Sequence, residues 1–155
     1  MTFEELKIKA NDILNHNLLF EEKLLQICHL IHDEIAHYDW VGFYFRNGKK
    51  EELILGPFAG EPTDHTIIPF GKGICGQVAV SNKNFIVDDV TNQDNYISCN
   101  INVKSEIVIP LFVNGENIGQ IDIDSNKIKA FTSADEEFLV WLNKEIAKHY
   151  PENQG

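Results

Sequence analysis

The chain of 155 residues is close to one average domain and too short for two comfortable ones. Apolar residues make up 43% and charged residues 24%, which excludes a disordered chain and a small disulfide framework. With 24 carboxylates against 13 Lys and Arg the formal charge is -11, and the longest basic run is Lys49-Lys50, so neither nucleic acid nor an anionic membrane surface is an expected partner.

Thr2 and Glu5 have capping-box form, and Phe3, Leu6, Ala10, Ile13 and Leu14 then recur at helical spacing. From Phe20 the positions Leu24, Ile27, Cys28, Ile31 and Ile35 follow the 3.6 period and predict a second helix ending near His37. Trp40 to Phe45 switches to strand character. Asn47-Gly48 predicts a type I′ hairpin turn, with the returning strand over about Glu51 to Leu55. The stretch from Pro57 to Lys104 is rich in Gly, Asn and Asp, with short apolar pieces at Ile67 to Phe70 and Phe85 to Val87 around one short helix. Glu106 to Val113, Asn114-Gly115 and Asn117 to Ile123 predict a second hairpin. Ser133-x-x-Glu136 predicts the start of a closing helix, with Phe138, Leu139, Trp141, Leu142 and Ile146 on one side. Helices, antiparallel hairpins and a closing helix define an α+β class, expected as a single domain over residues 1–155.

The longest apolar run, Ile107 to Val113, is far short of the roughly 20 residues that cross a bilayer. The N-terminus lacks the basic start and apolar stretch of a signal peptide. A cytosolic protein is expected.

Cys28, Cys75 and Cys99 are an odd number without CxxC spacing, so neither a structural disulfide set nor a zinc knuckle is expected. Gly71-Lys72-Gly73-Ile74-Cys75-Gly76 satisfies GxGxxG, but that fingerprint belongs to a parallel βαβ unit, and hairpins follow here. The segment reads instead as a tight glycine turn opening a short helix with Cys75 in its first turn, where a helix N-terminus favours thiolate. Cys99 lies in the polar stretch Asn92 to Asn100, and for it reactive and structural readings both stand. Cys28 sits on an apolar helical stripe and reads as inert core filler.

Gln120, Asp122 and Asp124 alternate with Ile121 and Ile123, so the pleat places both aspartates on one face, about 7 Å apart. Such a pair is either a solvated sheet face or, where water is excluded, a candidate acid or ammonium site. Trp40, Gly42 and Tyr44 share a face, with the glycine expected to leave a gap between two aromatic side chains for an apolar or cationic group; core packing competes with that reading. The six histidines form no metal signature, and no metal or cofactor is expected.

Asp39 to Tyr44, Leu53 to Phe58, Phe70 to Gly76, Cys99 with Lys104 to Pro110, and Ile118 to Ser125 together resemble the GAF-domain free methionine-(R)-sulfoxide reductases. The resemblance implies a six-stranded antiparallel sheet flanked by helices, often a homodimer, enclosing a small pocket. It implies free methionine sulfoxide as substrate and a thioredoxin-like reductant. By resemblance Cys99 matches the nucleophile and Cys75 a resolving cysteine. Glu106, Asp122 and Asp124 match substrate-binding carboxylates, and Trp40 and Tyr44 match the aromatics near the methyl group. The family commonly has a third cysteine ten positions before Cys75, where this chain has His65, so a three-cysteine relay becomes one of two: either Cys75 resolves the intermediate directly, or activity is weakened or lost. The competing class is a noncatalytic GAF module that binds a small ligand and regulates a partner.

Overall fold

The computed structural model describes residues 1–93 and 102–151. Cys99 therefore lies outside the described residues. Two helices open the chain, α1 (Phe3–Leu14) and α2 (Phe20–Glu34). They are followed by strands β1 (Trp40–Arg46), β2 (Glu52–Ala59) and β3 (Ile67–Pro69), then helix α3 (Gly73–Ser81). Strand β4 (Phe85–Val87) and a 3₁₀ turn at Val90–Asn92 lead to β5 (Ser105–Val113), β6 (Glu116–Ser125) and helix α4 (Ser133–Lys148). The strands form one six-stranded sheet in the order β3-β2-β1-β6-β5-β4, with every pairing antiparallel. This is the expected α+β architecture.

The pleat of the central strands sorts residues onto two faces. Val41, Phe43, Ile107, Ile109, Ile121 and Ile123 point to one face, where they join Leu6, Leu24, Ile27, Ile31, Leu139 and Leu142 of α1, α2 and α4 in the main core. Each such side chain contributes about 1.5–3 kcal/mol by leaving water. The opposite face carries Trp40, Tyr44 and Val108 and is covered by α3, whose Ile74, Cys75, Val78 and Ala79 pack onto it. No helix among the described residues is long and apolar enough to cross a membrane.

Local signals match their elements with two corrections. The Thr2 hydroxyl accepts from the Glu5 amide at 3.1 Å, which caps α1, and Asn114 (φ 52) with Gly115 (φ 80) makes the expected primed turn between β5 and β6. The first hairpin is different. Among its loop residues only Gly48 (φ 60) has positive φ, and the Lys50 amide donates to the Asn47 carbonyl at 3.1 Å. Asn47 thus precedes the first corner of the turn, instead of occupying it, and the loop spans 47–51. The cap of α4 sits one residue before the predicted one: the Thr132 amide and hydroxyl donate to Asp135 Oδ2 at 2.8 and 3.0 Å. The Tyr38 hydroxyl donates to Asp135 Oδ1 at 2.7 Å and His37 Nε2 lies 3.1 Å from it, so this buried carboxylate ties the approach to β1 to the start of α4.

The glycines of Gly71-x-Gly73-x-x-Gly76 serve the backbone. Gly71 (φ 85) and Gly73 (φ 61) take conformations that L side chains rarely adopt, and a Cβ on Gly76 would lie 2.6 Å from the Pro69 carbonyl oxygen. The Gly71 amide donates to the Gly76 carbonyl at 2.8 Å, closing the turn over the start of α3. With antiparallel strands on both sides, the segment has no place in a dinucleotide-binding βαβ unit.

Candidate active site

Register brings the carboxylates together. Glu106 on β5 faces Asp124 on β6, which faces Trp40 on β1, and the next row in register is Val108, Asp122 and Gly42. Glu106, Asp122 and Asp124 therefore share one face of the two adjacent strands β5 and β6. All three are about 95% or more buried, because α3 and the turn before it lie over them. The alternative of a solvated sheet face is thereby excluded.

Cys75 reaches this cluster from the third position of α3, where the structure places it in the first turn as expected. Its Sγ and the carboxylate oxygens of Glu106 and Asp122 lie within 4.8 Å of one another, all buried. Gln120 fixes the approach, since its Nε2 donates to the Cys75 carbonyl at 2.9 Å. The polar alternation of β6 puts Gln120 on the aspartate face, and only the fold over that face reveals its part in holding Cys75.

The electrostatics reverse one expectation. A helix N-terminus alone would favour thiolate, but burial pushes the Cys75 thiol well up, and the neighbouring Asp122 and Glu106 carboxylates raise it further. A full burial penalty and nearby negative charges outweigh a half-charge dipole. Burial likewise raises the Asp122 carboxyl, partly opposed by hydrogen bonds with Glu106 and Cys75. With Glu106 beside it, the raised Asp122 carboxyl makes a proton shared by this pair more readily held than one on an exposed carboxylate.

Tyr44, His65, Ile68, Lys72, Gly73 and Ile74 complete the lining of a cavity of about 20 Å³ around Cys75, Glu106, Asp122 and Asp124. Tyr44 is fixed by its hydroxyl, which donates to the His65 carbonyl at 2.9 Å. A second cavity of about 190 Å³ is lined by Asp39, Trp40, Glu61, Asn102, Val103, Asp124 and Asn126, so Asp124 is common to both. The gap expected over Gly42 is absent: the Trp40 ring itself lies there, against the space a Cβ would fill, and stacks on Phe58 at 5.7 Å. Trp40 Nε1 donates to the Glu61 carbonyl at 2.9 Å, which holds the ring as one wall of the second cavity.

The two described cysteines lie in different surroundings. Cys28 is fully buried in the main core, donates weakly to the Pro57 carbonyl at 3.6 Å, and has its thiol pushed up by burial alone. It is remote in chemistry from the carboxylates. Cys99 lies outside the described residues and precedes Asn102, a wall of the second cavity, by three positions.

Six antiparallel strands, helices on one face and a small polar cavity under a covering helix on the other define a GAF domain, and the GAF-domain family model matches residues 20–143. The free methionine-R-sulfoxide reductase of Escherichia coli is 32% identical over 146 residues, covering 94% of this chain and 87% of that one. Among solved structures, fRMsr of Staphylococcus aureus in its reduced form superposes with a TM-score of 0.89 at 35% identity, covering 97% of this chain and 96% of that one. The free methionine-R-sulfoxide reductase of Neisseria meningitidis in complex with its substrate gives 0.90 at 31% identity, with 96% and 87% covered. The chain belongs to the GAF-domain family of free methionine-R-sulfoxide reductases, which are oxidoreductases.

Proposed function

We propose that the protein reduces free methionine-(R)-sulfoxide to methionine, with Cys99 as nucleophile and Cys75 as resolving thiol. The observation that carries this reading is the burial of a cysteine among three carboxylates in a cavity on one sheet face, in a chain whose relatives bear this activity in their names.

The Cys99 thiolate attacks the sulfoxide sulfur while an acid protonates its oxygen; that hydroxyl then passes to the Cys99 sulfur as the new bond between the two sulfurs breaks, which leaves methionine and a sulfenic acid on Cys99. The Asp122–Glu106 pair supplies that acid, because its shared proton is retained in a site where burial raises the Asp122 carboxyl. Asp124 borders both cavities and takes the substrate ammonium, with Trp40 and Tyr44 as apolar walls for the methyl group. The Cys75 thiol then attacks the sulfenic sulfur, the Cys75–Cys99 disulfide forms and water leaves. An external dithiol of the thioredoxin type returns two electrons and two protons. A cytoplasmic location and a homodimer belong to the same proposal.

Cys75 is held protonated in the resting site, so it does not compete for oxidants before the substrate arrives. An ammonium bound at Asp124 offsets part of the negative charge that raises this thiol. Peptide mapping after adding substrate without reductant tests the assignment. The expected product is a Cys75–Cys99 disulfide; a persistent sulfenic acid at Cys99, or a bridge to Cys28, would remove Cys75 as resolver.

A further inference from the structure

We propose that Cys75, Glu106 and Asp122 form a binding site for one thiophilic divalent cation, of which Zn²⁺ and Cd²⁺ are the fitting members. The three donors come from α3, β5 and β6, and their ligand atoms already lie within 4.8 Å of one another. Zinc bonds of about 2.3 Å to sulfur and about 2.0–2.2 Å to carboxylate oxygen bring such atoms to roughly 3.5 Å around a common centre, a change that small side-chain rotations supply.

Two further observations point to a ligand. Asp122 Oδ1 is buried without a hydrogen-bond partner, a costly state that a coordinated ion relieves. The cavity lined by these side chains measures about 20 Å³, which is room for one water-sized occupant and too little for a hydrated ion. A cation that binds as a nearly bare ion to one sulfur and two carboxylates is borderline-soft. Mg²⁺ keeps several waters and Ca²⁺ takes six to eight oxygens, so neither fits this donor set.

Binding replaces the thiol proton and the proton shared by the carboxyl pair, both of which leave to solvent. The ion then offsets charge in a part of the molecule that holds three buried carboxylates. The site itself stands independently of the proposed turnover. One consequence rests on that reading: a metal-bound Cys75 sulfur cannot attack a sulfenic acid on Cys99, so the cation inhibits resolution and a chelator restores it.

The test is titration of Cd²⁺ into the full-length reduced protein carrying Cys99→Ser, without substrate, read by the ultraviolet sulfur-to-cadmium charge-transfer band. One equivalent per chain is expected, competed by Zn²⁺ and not by excess Mg²⁺. Adding Cys75→Ser should abolish the band, while Cys28→Ser should leave it intact. Asp122→Asn and Glu106→Gln, which keep the thiol, should each weaken binding by at least about tenfold. These two variants decide the matter even if Cys75→Ser fails to fold. No band at one equivalent, a band that survives Cys75→Ser, or wild-type affinity in both carboxylate variants would overturn the site, whatever the protein does with methionine sulfoxide.

Discussion

The two faces of the central strands are buried to nearly the same degree and behave as different materials. Ile121 and Ile123 are fully buried against α1, α2 and α4, while their chain neighbours Gln120, Asp122 and Asp124, pointing the other way, are at most 5% exposed beneath α3. The first set gains free energy by leaving water; the second loses it and is retained at a cost. Burial alone therefore does not mark a core. The two described cysteines repeat the contrast, since Cys28 is raised by burial only, whereas Cys75 is raised by burial and by two carboxylates that can exchange protons with it.

The largest expected effect concerns the site face. Cys99→Ser should lower turnover of free methionine sulfoxide by on the order of 10³-fold or more, measured with dithiothreitol as reductant, and near-wild-type turnover would remove the mechanism. Next come neighbours on β6 that should fail in opposite ways. Asp122→Asn should cost roughly 10²-fold in kcat with little loss of stability. Ile123→Ala should cost about 2–5 kcal/mol of stability in urea unfolding, with kcat largely kept while the protein is folded. If both variants lost activity and stability alike, the division between the faces would be wrong.

A smaller effect is a pH dependence with a definite sign. The Asp122 carboxyl is raised in the folded state, so between the ordinary carboxylate pKa of about 4 and its native value the folded protein holds the extra proton. Its contribution makes stability fall as pH rises across that window and level off above it. Urea midpoints from about pH 4 to about pH 8 should fall more steeply for wild type than for Asp122→Asn; parallel curves would contradict the raised carboxyl. The smallest effect is Cys28→Ser, which should cost about 1–2 kcal/mol and leave turnover within about twofold.

Much of this was legible in the sequence because strand pleat and helix period are local. The alternation from Gln120 to Asp124 placed both aspartates on one face, and the glycines at 71, 73 and 76 announced a tight turn into a helix with Cys75 at its start. What the sequence withheld depended on contacts between distant segments. Whether the aspartate face is wet or dry is decided by α3 folding over it, and the Cys75 thiol is raised by that burial and then by groups from β5 and β6 that no local rule anticipates. The Asn47-Gly48 pair misled because loop length is set by the β1–β2 register, which starts at Arg46 and Leu53. The gap over Gly42 vanished because the Trp40 side chain turns onto its own strand.

Selectivity for the free amino acid tests the central claim most directly. Asp124 borders both cavities, and in the proposed reaction it pairs with the desolvated α-ammonium, whereas an acetylated amine carries no charge to pair with it. Purified protein should be assayed with dithiothreitol on free methionine-(R)-sulfoxide and on its N-acetyl derivative. Turnover of the free compound is expected with kcat/KM at least about 100-fold above that of the acetylated one, a difference of about 2.7 kcal/mol in transition-state binding. No turnover of either compound, or equal turnover of both, would contradict it.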